Sequence, residues 1–280
     1  MQGKVDLHTH SNVSDGSMSP IELVDFARDK NIKVLALTDH DTNDGVIEAS
    51  ERAKELGISF VSGIEISTGK NNEIHILGYF SGDNHLKLND YLDYLKKNRS
   101  NRNYLMVEKL QNAGVDISMD DILAVSDEGS IGRAHFAYVL MKKGYVKSVS
   151  EAFDKYVGLD GVGYVKKESL NISDTIERIN EANGIAVFAH PGYLKLGDDE
   201  YMNLFYELKS KGLEGVEVYY PSHTKSQREL FLDIARENDL IVTGGSDFHG
   251  AIRPEVKIGM EDVPYKCYED ILYRLGMRGN

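Results

Sequence analysis

Six of the nine histidines in this 280-residue chain lie beside short apolar segments that are predicted to be strands. They are His8 and His10 after VDL, His40 after VLALTD, His75 within EIHILGY, His190 after IAVFA, and His249 after IVTGGSDF. Between these segments the hydrophobic pattern takes on the period of amphipathic helices, which predicts alternating strands and helices. The chain is therefore expected to fold as an α/β protein with polar side chains collected at strand ends.

About seven strands, mostly joined by helices, predict a distorted (β/α)7 barrel, in which the active site lies at the carboxyl ends of the strands. Helical periodicity alone fills residues 84–170, where none of these six histidines occurs. We therefore expect a barrel made of residues 1–83 and 171–280, and an inserted helical subdomain, residues 84–170, that acts as a substrate cap.

The charge balance limits the partners of the chain. With 32 basic and 45 acidic side chains, its formal charge is −13, which disfavours binding along duplex DNA. No segment reaches the roughly 20 apolar residues that a membrane helix needs, and the amino terminus does not resemble a signal peptide, so we expect a cytoplasmic protein without membrane partners. Because Cys267 is the only cysteine, a metal site would use His, Asp and Glu.

The first predicted strand ends in a His-x-His motif, His8 and His10. Side chains two positions apart in a strand point the same way, so both imidazoles can reach one ion. His40 follows another buried strand in the same manner and is interpreted as a ligand. Asp15, close to His10 in sequence, is either a further ligand or an ordinary Asp-Gly turn residue.

Glu65 interrupts an apolar strand, where an unpaired carboxylate would be costly to bury, so we expect it to meet cations and to bridge two metals. His75 also interrupts an apolar strand and is either a ligand or a hydrogen-bonded core residue. Mixed nitrogen and oxygen donors favour transition metals over magnesium or calcium. The predicted metal ligands are His8, His10, Asp15, His40, Glu65, His75, His190, Asp247 and His249.

The order of these motifs resembles that of the PHP (polymerase and histidinol phosphatase) superfamily of metal-dependent phosphoesterases. Four blocks carry the resemblance: VDLHTHSNVSDG, LALTDHDT, GIEIS with EIHILGY, and AHPG followed by GGSDFHG. The chain is similar to the branch of nucleoside 3′,5′-bisphosphate phosphatases and 5′ to 3′ oligoribonucleotide exonucleases in its Arg99 and Arg102 pair, in GRAHFA with Arg133, and in EVYYPSHT with His223.

The resemblance implies three divalent metal ions, manganese, iron or zinc. Their expected ligands are His8, His10, Glu65 and Asp247 for the first, Glu65, His75 and His190 for the second, and Asp15, His40 and His249 for the third.

The resemblance also implies hydrolysis of a phosphate ester by a metal-bound hydroxide. Arg99, Arg102, Arg133 and His223 are expected to contact the substrate phosphate, although Arg99 and Arg102 are alternatively part of a solvated helix face. Arg133 and His223 are the expected catalytic residues, with His223 either donating a proton to the leaving oxygen or binding phosphate.

The expected substrate is a small phosphorylated metabolite, most simply a nucleoside 3′,5′-bisphosphate or the 5′-phosphorylated end of a short RNA. A cyclic phosphodiesterase and a sugar or histidinol phosphate phosphatase are alternatives within the class. Outside it, an amidohydrolase also uses a His-x-His motif at the first strand of a barrel, and a non-catalytic metal-binding module would retain the fold without turnover.

Overall fold

Seven strands form a single sheet in which each strand neighbours the next along the chain. The structure, a computed structural model, describes residues 3–68, 74–125, 131–165 and 170–278. The strands are β1 (Lys4–Asp6), β2 (Ile32–Leu37), β3 (Ser59–Thr68), β4 (Ile74–Phe80), β5 (Ile185–Phe188), β6 (Gly215–Tyr219) and β7 (Ile241–Gly244).

The two outer strands of the sheet approach each other. The Leu7 amide, just after β1, donates to the Gly244 carbonyl of β7 at 3.2 Å, and Thr9 forms a parallel bridge with Phe248. The sheet thus nearly closes into a barrel, which confirms the predicted fold class. Strand β2 is buried at almost every position, as expected for a parallel strand that is covered on both faces.

The helices are α1 (Pro20–Asp29), α2 (Val46–Leu56), α3 (Asn89–Asn112), α4 (Met119–Leu123), α5 (Arg133–Lys142), α6 (Val149–Ala152), α7 (Ile172–Glu181), α8 (Asp198–Ser210), α9 (Lys225–Glu237) and α10 (Tyr265–Gly276). Local sequence fixes several of their starts. In α1 the Ser19 hydroxyl accepts from the Glu22 amide at 3.3 Å, and the Glu22 carboxylate accepts from the Ser19 amide at 2.8 Å. This reciprocal capping, with Pro20 as the first helical residue, begins the helix at a defined position.

Strand β4 runs antiparallel to both β3 and β5, whereas all other neighbouring strands are parallel. His75 lies at the amino end of β4 and pairs with Ser67 near the carboxyl end of β3. Because β4 is reversed, its amino end lies at the same sheet edge as the carboxyl ends of the other strands. The reversal therefore brings His75 to the edge where the sequence predicts the site.

The chain divides into two compact units, the barrel unit (Met1–Leu92 and Ser169–Asn280) and the helical unit (Asp93–Glu168). The helical unit has its own apolar core, which includes Met106, Leu110, Phe136 and Leu140. The division falls within α3.

The hydrophobic pattern predicts two helices at 88–97 and 101–112, where the structure has a single helix of 24 residues. Within the described ranges, none of the helices is both long and apolar enough to cross a membrane.

Asp6, fully buried at the end of β1, joins that strand to the segment that follows β7. Its carboxylate accepts hydrogen bonds from the Ser246 amide at 2.9 Å, the Ser246 hydroxyl at 2.6 Å and the Gly259 amide at 2.7 Å. Burial raises the pKa of Asp6, and these hydrogen bonds oppose that effect. The carboxylate therefore stabilises the closure of the barrel where the two outer strands meet.

Replacing Asp6 by alanine should destabilise the protein by about 3 kcal/mol, because several buried donors would lose their acceptor. The free energy of unfolding, measured by urea denaturation, tests this. Asp29→Ala, at an exposed position of α1, is the matched control and should change the free energy of unfolding by less than about 0.5 kcal/mol. Equal stability of the two variants would contradict the proposed closure.

Candidate metal centre

The nine predicted metal ligands all lie in the barrel unit, at one edge of the sheet. We call them the rim cluster: His8, His10, Asp15, His40, Glu65, His75, His190, Asp247 and His249. Most are buried, Asp15 being the exposed exception with a side chain that is 53% accessible. Segments far apart in sequence thus bring imidazoles and carboxylates together.

Glu65 lies at the centre of the rim cluster and is 1% exposed. Its Oε2 atom is 3.2 Å from His8 Nε2, 3.3 Å from His10 Nε2 and 3.2 Å from His40 Nδ1. A backbone bridge between His40 and Glu65 aligns the segment after β2 with β3. One carboxylate oxygen therefore faces three ring nitrogens that come from two different strand ends.

The other oxygen of Glu65 faces a second pair of rings. Its Oε1 atom is 2.7 Å from His75 Nδ1 and 2.9 Å from His190 Nε2. His190 has a left-handed backbone conformation with φ of 30°, which is uncommon for a residue other than glycine and typical of functional sites. The two oxygens of Glu65 thus separate two groups of donors, the arrangement expected of a bridging carboxylate.

Two further carboxylates of the rim cluster, those of Asp247 and Asp15, also face its histidines. Asp247 Oδ1 lies 3.1 Å from His10 Nε2 and 3.5 Å from His8 Nε2. Asp15 Oδ1 lies 3.2 Å from His249 Nε2, and its Oδ2 lies 3.8 Å from His40 Nε2.

The candidate ligand atoms fall into three groups, in each of which they lie within 4.8 Å of one another: His8, His10, Glu65 and Asp247; His10, Asp15, His40 and His249; and His40, Glu65 and His75. His10 and His40 each belong to two groups, an overlap that the expected ligand sets do not contain.

Several buried polar atoms of the rim cluster make no hydrogen bond within the described part of the chain: His8 Nε2, both ring nitrogens of His10, His40 Nδ1 and Glu65 Oε2. Leaving such atoms buried and unpaired costs free energy, and native proteins usually satisfy them. Four of these atoms, His8 Nε2, His10 Nε2, His40 Nδ1 and Glu65 Oε2, face one another, so cations between them would satisfy these four together. The donor set therefore fits divalent transition metals.

The surroundings of the rim cluster shift the pKa of two of its histidines in opposite directions. Burial lowers the pKa of His10, but the nearby carboxylates of Asp247 and Glu65 reverse this and bring the pKa to about 10. Burial lowers the pKa of His40 to about 4, so its ring is neutral at pH 7 and has a lone pair for a cation. Burial raises the pKa of Glu65, yet the surrounding imidazoles hold it well below its usual range.

Glu217, a fully buried carboxylate in β6, fixes two histidines of the rim cluster. His8 Nδ1 donates to Glu217 Oε1 at 3.0 Å, and the His190 amide donates to Glu217 Oε2 at 2.8 Å. Because a carboxylate only accepts, a ring proton of His8 lies on Nδ1, and in the neutral ring the lone pair is therefore on Nε2, which faces Glu65. Glu217 thereby sets the tautomer that a metal ligand requires.

Asp247 is held by two side chains that were not predicted to belong to the site. Its Oδ2 atom accepts from the Tyr220 hydroxyl at 2.7 Å and from Arg253 Nη1 at 2.6 Å, while Oδ1 faces His8 and His10. Arg253 lies in the loop beyond the Asp-x-His motif, where a lone arginine is unremarkable in sequence. Its contact with Asp247 depends on how that loop folds back.

His223 makes hydrogen bonds through both ring nitrogens. Nδ1 lies 2.9 Å from the Val218 carbonyl, and Nε2 accepts from the Gly192 amide at 3.2 Å. Since the carbonyl can only accept and the amide can only donate, the ring is neutral with its proton on Nδ1. Burial lowers the pKa of His223, in agreement with that state. In this structure His223 anchors the loop at Gly192, and its expected part in catalysis stays a prediction.

The three arginines expected to bind phosphate belong to the helical unit. Arg102 Nε donates to the Val165 carbonyl at 2.9 Å, and Arg133 begins α5 with its guanidinium 5.7 Å from the Phe153 ring centroid. The side chain of Arg99 lies outside the described residues. Their contact with substrate phosphate therefore stays a prediction.

Comparison with known proteins identifies the family. The PHP domain matches residues 6–165. The chain is 39% identical over 250 residues to a 5′-3′ exoribonuclease of Haemophilus influenzae, covering 89% of this chain and 91% of the relative. It is 33% identical over 266 residues to a 3′,5′-nucleoside bisphosphate phosphatase of Chromobacterium violaceum, covering 94% and 93%.

A solved structure from Bifidobacterium adolescentis, assigned as a metal-dependent phosphoesterase, superimposes with a TM-score of 0.79 at 31% identity, over 96% of this chain and 95% of the other. The chain belongs to the PHP domain family. The predicted family and the predicted class of enzyme, a phosphoesterase, are thereby confirmed.

Replacing Glu217 by glutamine should weaken metal binding by about 10- to 100-fold, because the ring proton of His8 would lose its carboxylate acceptor. Competition with a chelator, followed by elemental analysis of the retained metal, measures this affinity. Glu207→Gln, at an exposed position of α8, is the matched control and should bind metal as the unaltered protein does. Unchanged affinity in Glu217→Gln would refute the positioning role.

Proposed function

We propose that this protein is a cytoplasmic, metal-dependent phosphoesterase that removes phosphate from a small nucleotide. The substrate is a nucleoside 3′,5′-bisphosphate or the 5′-phosphorylated end of a short RNA. The observation that carries the proposal is the set of buried, unpartnered donor atoms around Glu65. The names of the relatives, an exoribonuclease and a bisphosphate phosphatase, support the nucleotide class.

The rim cluster would hold up to three divalent ions of manganese, iron or zinc. Glu65 faces donors through both oxygens and would bridge two of them, while Asp15 and His249 would belong to the third. When bound, such ions lower the pKa of a water molecule and offset the charge that develops on phosphoryl oxygens.

The surrounding side chains prepare the rim cluster for this chemistry. Glu217 keeps the ring proton of His8 on Nδ1 and holds the backbone at His190. Tyr220 and Arg253 occupy Oδ2 of Asp247, which directs Oδ1 toward His8 and His10. Each contact fixes a donor atom before any ligand arrives, so less ordering is needed when metal and substrate bind.

The helical unit would act as the substrate cap. Its three candidate arginines, Arg99, Arg102 and Arg133, carry the forked guanidinium groups that suit phosphate oxygens. The acidic balance of the chain, −13, favours a small ligand or a strand end over a long duplex. His223 would position the loop at Gly192. Once substrate is bound, it would bind the phosphate or donate a proton to the leaving oxygen.

Replacing His10 by alanine should lower phosphate release at least about 100-fold, because both ring nitrogens of His10 face carboxylates of the rim cluster. The assay follows phosphate release from 3′-phosphoadenosine 5′-phosphate and from a 5′-phosphorylated oligoribonucleotide, with manganese present and metal content measured alongside. Glu207→Gln serves again as the control, and thermal unfolding checks that the variant is folded. Turnover at the unaltered rate in folded His10→Ala would exclude the rim cluster as the catalytic centre.

Replacing Arg133 by alanine should raise KM or lower kcat on the same substrates, with kcat/KM falling about tenfold as a charge-assisted phosphate contact is lost. The matched control is Arg236→Ala, an exposed arginine on α9 that pairs with Asp233. Steady-state kinetics of both variants decide the point. If the two variants behave alike, Arg133 does not bind the substrate.

A further inference from the structure

Tyr193 is a half-exposed aromatic residue beside the rim cluster, and none of the roles described above uses it. It lies in a short 3₁₀ turn, Pro191–Leu194, directly after His190. Its ring centroid is 5.0 Å from that of His190 and 5.6 Å from that of Tyr220, and 47% of the residue is exposed. An accessible aromatic ring thus lies next to a candidate metal ligand.

The turn that carries Tyr193 is fixed on several sides. The His190 amide donates to Glu217 at 2.8 Å, the Gly192 amide donates to His223 at 3.2 Å, and the Tyr201 hydroxyl donates to the Pro191 carbonyl at 2.8 Å. A Cβ atom at Gly192 would come within 2.7 Å of the His223 ring, so the backbone and that ring are tightly packed. These contacts therefore fix the backbone that leads into Tyr193.

The hydroxyl of Tyr193 is also held. It lies 2.8 Å from the Tyr220 hydroxyl, which itself donates to Asp247 at 2.7 Å. Both ends of the Tyr193 side chain are therefore constrained, while nearly half of its surface stays open. A preordered aromatic ring loses little conformational entropy when a ligand packs on it.

We infer that Tyr193 is a base-stacking residue, whose exposed ring surface packs against the nucleobase of the substrate. This rests on the proposed phosphoesterase function and adds the feature by which a nucleotide is distinguished from a sugar phosphate. Stacking on an aromatic ring tolerates every base, because every base has a π-face. The site should therefore require a base without selecting its identity.

The alternative is a purely structural role, in which the Tyr193 hydroxyl holds the Tyr220 hydroxyl and Tyr220 in turn orients Asp247. The two roles make different demands on the side chain, because stacking needs the ring and positioning needs the hydroxyl. Tyr193→Phe keeps the ring and removes the hydroxyl, while Tyr193→Ala removes both. Tyr206→Ala is the matched control, since Tyr206 is a 74% exposed tyrosine on the neighbouring helix α8.

The experiment compares a nucleotide with its counterpart that lacks a base. Kinetics are measured on adenosine 3′,5′-bisphosphate and on 1-deoxyribose 3,5-bisphosphate, and binding of adenosine 5′-monophosphate and of ribose 5-phosphate is measured by calorimetry. Tyr193→Ala should lower kcat/KM for the nucleotide and weaken binding of the monophosphate by roughly tenfold, with the baseless compounds unaffected. Tyr193→Phe and Tyr206→Ala should keep the preference for the base.

An equal loss on both substrates in Tyr193→Ala would overturn the inference, as would a Tyr193→Phe variant that loses the preference for the base. Failure of the proposed function has a different signature, namely no hydrolysis of either substrate by the unaltered protein. In that event the binding measurements still decide the inference, because adenosine 5′-monophosphate should bind more weakly to Tyr193→Ala. Equal binding of adenosine 5′-monophosphate to the unaltered protein and to Tyr193→Ala would contradict the inference.

Discussion

The buried carboxylate of Glu65, surrounded by imidazoles, is the interaction on which the rest of the site depends. A carboxylate that is 1% exposed needs positive charge or strong donors nearby, and the chain brings rings to both of its oxygens. These rings come from segments after β1, β2 and β5 and from the reversed strand β4. They converge because the barrel closes, and the closure depends in turn on contacts such as those of Asp6.

Side chains outside the rim cluster fix the protonation or the orientation of its ligand atoms. Glu217 sets the tautomer of His8 and holds the turn at His190. Tyr220 and Arg253 take up the second oxygen of Asp247. The arrangement follows a general pattern in which outer residues orient the ligands and thereby tune the site. In this protein the same outer contacts extend to the turn that carries Tyr193.

Much of the site could be predicted from sequence because strand ends leave a local signal. An apolar run followed by His or Asp, as at His40 and Asp247, indicates both an element boundary and a candidate ligand. The reversal of β4 left no such signal, because a short strand has the same pattern in either direction. Arg253 was missed because its role depends on a tertiary contact. The polar stretch within α3 resembles a helix end in sequence, yet the helix continues through it.

The most direct test is a crystal of the protein grown with manganese, with diffraction data collected on both sides of the manganese absorption edge. We expect anomalous peaks between Glu65 and its neighbouring histidines, within about 2.3 Å of the carboxylate and imidazole donors. A structure in which these donors face one another without an anomalous peak, at saturating manganese and neutral pH, would contradict it.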